Sequence, residues 1–274
     1  MRPSAFVTIA ALLLGISPVF ADGTTHCDSP KRYRVWLRTF GNGTQGDAAS
    51  TGELKFLSYG LTLGIDRQIN RNWLFGLALG ENKTSIDFVQ LPDKGTIDAF
   101  HADLFARRTF DRFFLDVEGN FGYNDQSFQR NVTQWGISCE AGTWWSHGLG
   151  KVEPYVRFSH IYWNGDAGDS KETLMAGVRY SWRTATDLTT TVPRFYGGVL
   201  QELGNTSLFP VSSFGNTPTV FPVGGLEVPE TRLFLGGGFT TSMGTSLDIL
   251  LRYTAEMSSR NTSHTALLGV NCNF

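Results

Sequence analysis

Thr265–Phe274 reads TALLGVNCNF. Stepping back by two from Phe274 gives Cys272, Val270, Leu268 and Ala266, and the interleaved set is Asn273, Asn271, Gly269, Leu267 and Thr265. In a strand these sets occupy opposite faces, one mainly apolar and the other mainly polar. A strand of this kind ending in an aromatic residue is the pattern that closes a bacterial outer-membrane β-barrel, with lipid on one face and water on the other.

The opposite end is consistent with export. MRPSAFVTIAALLLGISPVFA, residues 1–21, has a basic start at Arg2, an apolar run from Ala5 to Val19 and small residues around V-F-A. It reads as a secretory signal of the usual ~15–30 residues, with cleavage expected after Ala21. Its apolar run is short of the ~20 residues a spanning helix needs, and Pro18 interrupts it. The expected division is a signal peptide over 1–21, a short segment over 22–30 and a barrel over 31–274.

Composition excludes several classes. Hydrophobic residues make up 41%, charged residues 18% and the net charge is −2, so there is no basic surface for nucleic acid. A modest average hydropathy is what a barrel gives, because lumen-facing polar residues dilute the apolar signal. The 21 Phe, 8 Tyr and 7 Trp suit aromatic girdles at the two membrane interfaces. Cys27, Cys139 and Cys272 are odd in number and far apart, so neither a disulfide framework nor a thiolate metal site organises the fold. Cys139 and Cys272 fall on the apolar parity of their strands.

Period-two alternation recurs about twelve times without an amphipathic helix. Tyr59, Leu61, Leu63 and Ile65 alternate with Gly60, Thr62, Gly64 and Asp66; Trp73, Phe75, Leu77 and Leu79 follow on the next strand. Phe113, Leu115, Val117 and Phe121 oppose Asp116, Glu118 and Asn120. The same holds for Leu174, Ala176, Val178, Tyr180 and Trp182, and for Leu247, Ile249, Leu251 and Tyr253. Runs of about 10–14 residues exceed the ~5–6 of soluble strands and suffice to cross a tilted bilayer. Short connections at Arg67–Asn72, Phe110–Arg112, His147–Gly150, Ala185–Thr189 and Ser242–Thr245 alternate with longer ones at Gly41–Leu54, Ser85–Gly95, Asn164–Lys171 and Gly204–Glu227. Short periplasmic turns and longer extracellular loops follow from this asymmetry. The predicted fold is all-β, a transmembrane up-and-down antiparallel β-barrel of about 12 strands. Thr190–Leu203, with Pro193 and the pair Gly197 and Gly198, is expected to carry a bulge or bend.

The polar parities carry Asp66, Asp116, Glu118, Glu153, Arg157, Arg179, Asp248 and Arg252. These lumen-facing charges mix signs, which favours a network of pairs across the interior over a ring of one sign. Gly60, Gly64, Gly76, Gly80, Gly122 and Gly177 are expected either to thin the wall or to make room for aromatic neighbours. Loop Gly204–Glu227 carries Leu208, Phe209, Phe214, Val220 and Phe221, apolar residues that are costly to leave in water and so are expected to tuck into the barrel mouth. The segment SHIYWNGDAGDS, Ser159–Ser170, suggests hydrolase chemistry, but Ser159 and His160 are adjacent and must point to opposite faces. No metal spacing involves His101, His147 or His264. Neither an enzyme nor a cofactor is expected.

Several stretches together carry a resemblance. VWLRTFGNG, SYGLTLGIDRQINRNWLFGLALGENKTSIDF, DAFHADLFARRTFDRFFLDVEGNFGYNDQSFQR, EPYVRFSHIYWNG, LMAGVRYSW and SLDILLRYTAEMSSRNTSHTALLGVNCNF resemble the β-domain, or translocator, of autotransporters. The most specific parts are G-x-x-L-G-x-D at Gly60–Asp66 and W-x-x-G-x-x-x-G at Trp73–Gly80. The resemblance implies a twelve-stranded barrel in the outer membrane. In that family a secreted passenger precedes the barrel and a helix threads it; residues 22–30 are too few for either. The expected function is therefore a structural or pore-forming barrel without a passenger, with a surface adhesin or receptor as the alternative and an outer-membrane hydrolase as a distant one. The expected partners are outer-membrane lipid and the barrel-assembly machinery, the latter through an assembly signal at Leu268, Val270 and Phe274; an extracellular ligand is not identified by the sequence.

Overall fold

The computed structural model describes residues 32–48, 52–88, 94–126, 131–148, 150–164, 169–203, 208–210, 220–222, 231–259 and 261–274. The expected signal peptide and the segment 22–30 lie outside the described residues. Sixteen strands are present among the described residues. They are β1 (Arg32–Ala48), β2 (Gly52–Gln68), β3 (Trp73–Phe88), β4 (Lys94–Phe110), β5 (Phe113–Gln126), β6 (Val132–Thr143), β7 (Trp145–His147) and β8 (Gly150–Asn164). They continue as β9 (Asp169–Trp182), β10 (Thr184–Ala185), β11 (Thr189–Leu203), β12 (Leu208–Pro210), β13 (Val220–Pro222), β14 (Thr231–Met243), β15 (Leu247–Met257) and β16 (Asn261–Asn273). The short β7 continues β6 beyond Trp144, β10 continues β9 beyond Arg183, and β12 with β13 forms a separate hairpin. Twelve full-length strands remain, each antiparallel to both neighbours, and they close into a barrel where β1 meets β16. The described residues contain no helix.

Closure removes the open edges that would otherwise template aggregation. The seam is in register from Arg34 opposite Asn273 to Gly46 opposite Asn261. Side chains pin that register. Asn42 Nδ2 donates to Ser263 Oγ at 2.9 Å and to Thr265 Oγ1 at 2.7 Å, and Thr44 Oγ1 donates to Asn42 Oδ1 at 3.0 Å.

The outward face is what the alternation dictates. Leu63, Leu77, Leu104, Ile137, Val178, Leu235 and Leu251 are exposed, Leu104 at 67% and Leu235 at 63%. A continuous apolar surface around the whole barrel is far beyond what a soluble monomer presents to water. Aromatic rings border it. Tyr33, Trp73, Phe110, Phe113 and Trp145 lie at the end with the short turns, while Tyr59, Phe100, Phe121, Tyr123 and Trp135 lie on the other half. Arg108 stacks over Trp73 and Phe110, at 5.0 and 4.2 Å, and Arg67 over Tyr33 at 4.8 Å. Such cations at a girdle reach from the apolar band toward water.

The short turns use the residues their geometry requires. Asp111 has a φ of 46° in the two-residue link between β4 and β5, which Asp tolerates, and Gly148 and Gly244 have φ of 52° and 63°. Asn70 Oδ1 accepts from the backbone N–H groups of Asn72 and Trp73.

Two expectations are corrected. Gly41–Leu54 and Ser85–Gly95 are mostly strand, with β1 reaching Ala48 and β3 reaching Phe88. The antiparallel ladder needs only backbone groups, so loss of apolar side chains marks the edge of the lipid band and not the end of the strand. In β11 the register runs unbroken through Gly197 and Gly198 against both β9 and β14, so no bulge forms there. Pro193 sits just outside the β9 ladder, which begins at Arg194.

Candidate functional site

The lumen is the candidate site, because the polar faces of all twelve long strands converge on it. Its wall has two components, aromatic plates and ion pairs. The plates arise from glycine placed directly opposite an aromatic residue on the neighbouring strand. Trp36 opposes Gly64, Phe40 opposes Gly60, Phe105 opposes Gly76, Phe114 opposes Gly142, Tyr155 opposes Gly177 and Phe234 opposes Gly198. Each ring lies over the missing side chain: a Cβ on Gly64 would come 2.1 Å from Trp36, and one on Gly76 would come 2.2 Å from Phe105. Gly80 accommodates His101 and Gly122 accommodates Gln134 in the same way. Trp36, Ala78 and Phe105 form one buried cluster, and Phe114, Tyr155 and Phe234 form another.

The ion pairs fall into three groups. Near the short-turn end, Arg34 grips Asp66, with Nη2 to Oδ2 at 2.7 Å and Nε to the same oxygen at 2.9 Å. On the β4 to β9 wall, Arg107 pairs with Asp116, and Glu140 accepts from both Arg157 and Arg179, the latter at 2.7 Å. Toward the long-loop end, Glu202 bridges Lys171 and Arg232, and Arg232 also reaches Glu256 at 3.1 Å. Register explains three of these encounters directly: Arg34 is opposite Asp66, Glu140 opposite Arg157, and Arg107 opposite Asp116. The Glu140–Arg179 pair and the Glu202 group reach diagonally or past a strand.

The residues singled out from sequence are distributed over this wall. Asp66 and Asp116 are buried in the pairs just described, and Arg157 and Arg179 share Glu140. Glu153 is buried, 3.4 Å from Lys151, and Glu118 is buried on the same face. Asp248 is half-buried and accepts from Asn273 Nδ2 at 3.2 Å. Arg252 is buried with its guanidinium over Tyr196. Arg34, Arg38, Arg107, Glu140, Glu202 and Arg232 are further lumen residues not picked out from sequence. Their parity was available; the cross-strand register that pairs them was not.

Leu268 and Val270 lie on the outward face of β16, and Phe274 directly follows the strand at 74% exposure. Ser159 is buried in the lumen, while His160 faces outward 3.4 Å from Glu172 and beside Trp135. A Ser–His relay is thereby ruled out at this place. Cys139 and Cys272 are free thiols on the outward parity. Among the described residues, no three His, Cys, Asp or Glu side chains gather as metal ligands.

The family model described as Autotransporter beta-domain matches residues 35–254 of this chain. The chain belongs to the autotransporter beta-domain family. Its fold is similar to the translocator domain of the autotransporter NalP from Neisseria meningitidis, with a TM-score of 0.63 and 18% identity over 92% of this chain and 91% of that one. It is likewise similar to the beta domain of the Bordetella autotransporter BrkA, with a TM-score of 0.68 and 17% identity over 88% and 99%. Among curated proteins, an extracellular serine protease of Serratia marcescens is 20% identical over 88% of this chain. The chain spans 26% of that relative's length, so the protease activity is a statement about the relative. Membership of the autotransporter beta-domain family implies the bacterial outer membrane, in keeping with the apolar outer surface.

Proposed function

We propose that this autotransporter-type barrel acts as an outer-membrane pore whose path is narrowed by its own lumen charges. The observation that supports the reading is the set of buried ion pairs facing inward from strands on every side of a barrel whose outside is apolar. A wall of mixed sign leaves a restricted, ion-discriminating path, because the fixed charges partly cancel. Residues 1–21 act as the leader that delivers the chain, and Leu268, Val270 and Phe274 form the face by which assembly machinery handles β16.

The test is conductance of the purified, refolded barrel in planar bilayers. Small, ion-selective steps are expected, and neutralising the Glu140 junction with Glu140→Gln changes the selectivity ratio. Inserted protein with no current would assign the barrel a structural role instead. A surface-binding role is favoured by one separate feature: β1 to β4 continue as paired strands beyond the apolar band, carrying exposed Lys83 and Asp98. Binding of labelled protein to host matrix components, lost on shortening those strand tips, would support that second reading.

A further inference from the structure

Most lumen arginines described above face a carboxylate. Arg38 and Arg252 are not in such a pair: both residues are buried, and the Arg38 Nε and Nη2 are themselves buried without a hydrogen-bond partner. Each instead lies over a ring, Arg38 at 4.1 Å from the Trp36 centroid and Arg252 at 5.9 Å from that of Tyr196. A guanidinium does not shed its proton, and an unpaired buried charge is costly. Ring contact offsets only part of that cost.

The two cations flank one strand. Arg38 of β1 is opposite Gly269 of β16, and a Cβ on Gly269 would sit 3.3 Å from Arg38 Cγ and 3.4 Å from Leu250 Cδ2. The Arg38 stem therefore passes over Gly269 against Leu250, and Arg252 is the next lumen-facing residue of that strand, β15. Other polar atoms gather there without partners. They are the Arg38 Nε and Nη2, the Trp36 Nε1, the Thr62 Oγ1 and both amide atoms of Asn271, all buried. Thr62 is directly opposite Arg38, and Asn271 directly opposite Trp36. Asp66, already gripped by Arg34, and Glu118 are the carboxylates that act on Arg38. Against Arg34, Arg38 and Arg252 they leave the set rich in donors and net cationic, which disfavours a metal ion and matches an oxyanion.

We propose that the seam side of the lumen, at Arg38, Arg252, Trp36, Thr62 and Asn271, is a binding site for a small oxyanion of the phosphate or carboxylate class. The planar guanidinium fork of Arg38 suits two oxygens of one such group, with the indole and amide N–H groups as flanking donors. The site deepens the pore reading by naming what the path would hold, and rests on that reading only in requiring the lumen to be reachable by solute.

The test uses the full folded barrel in detergent micelles and follows the temperature at which it loses its compact electrophoretic form. Sodium phosphate and sodium acetate are compared with sodium chloride at matched ionic strength. A saturable rise is expected in phosphate or acetate beyond that in chloride. Arg38→Gln and Arg252→Gln each weaken half-saturation by about tenfold, the loss of one charge-assisted contact. Lys83→Gln, an exposed control on the outer face, keeps the wild-type response. Where Arg38→Gln does not fold, Asn271→Ala, which keeps both charges but removes a donor, carries the comparison and weakens phosphate binding less than Arg252→Gln. Equal effects of phosphate, acetate and chloride would overturn the proposal, as would an undiminished response in the arginine variants. Because no current is measured, a barrel that binds phosphate but does not conduct refutes the pore reading and leaves this site standing.

Discussion

Glu140, at 1% exposure, holds Arg157 and Arg179 together. Removing its charge strands two guanidinium groups, so Glu140→Gln should lower the unfolding free energy by about 3–5 kcal/mol, read from urea titration of the folded barrel. A loss below about 1 kcal/mol would show that lumen water already screens the trio. Sequence parity placed Arg157 and Arg179 on the polar face; the structure adds the carboxylate they share, which makes them structural anchors. On the opposite face, Leu63 is 55% exposed in the middle of β2. Leu63→Arg should cost about 2–4 kcal/mol in lipid vesicles, whereas Tyr33→Arg at the girdle should cost about 0–1. Equal costs at the two depths would remove the basis for assigning this face to lipid. The inward neighbour Thr62 is no clean control, since it lies packed opposite Arg38.

Strand parity was legible because it needs only adjacent residues: the odd and even sets of Tyr59–Asp66 separate in the barrel as they do in the sequence. Register was not legible, because it depends on which residues of two distant segments meet. The glycine–aromatic pairs show the difference. Gly64 could be read as a space for a ring, but only the β1 to β2 register makes that ring Trp36. Gly64→Val should therefore destabilise the barrel, and Trp36→Ala should recover part of the loss, with a coupling energy of about 0.5–3 kcal/mol. The same Trp36→Ala should give no recovery for Gly142→Val, whose ring is Phe114 in the separate cluster; recovery in both would mean general loosening of the wall. At β16, the backbone of Phe274 exchanges hydrogen bonds with Tyr33 while its side chain is free of the ladder. Phe274→Ala should then refold in vitro like the parent yet insert less completely in cells, measured as the membrane fraction of exported protein. Full insertion in cells would dismiss Phe274 as an assembly signal.

At the scale of the whole molecule, strand number, hairpin order and the inside–outside division follow from alternation and turn spacing. The loop ends do not, because polar strand tips and polar loops share a composition. Much of the expected mouth-covering loop Gly204–Glu227 lies outside the described residues, leaving the hairpin of β12 and β13. Assembled, the twelve strands present lipid-compatible side chains outward and buried charge inward, an arrangement that satisfies every strand edge only when closed. A closed barrel of this kind should fractionate with the outer membrane and resist dodecyl sulfate until heated. Electrophoresis of that fraction with and without boiling tests this most directly. The account predicts a compact, faster-migrating band that shifts to the unfolded mobility only after boiling; a single mobility under both conditions, with release of the protein by carbonate washing, would contradict it.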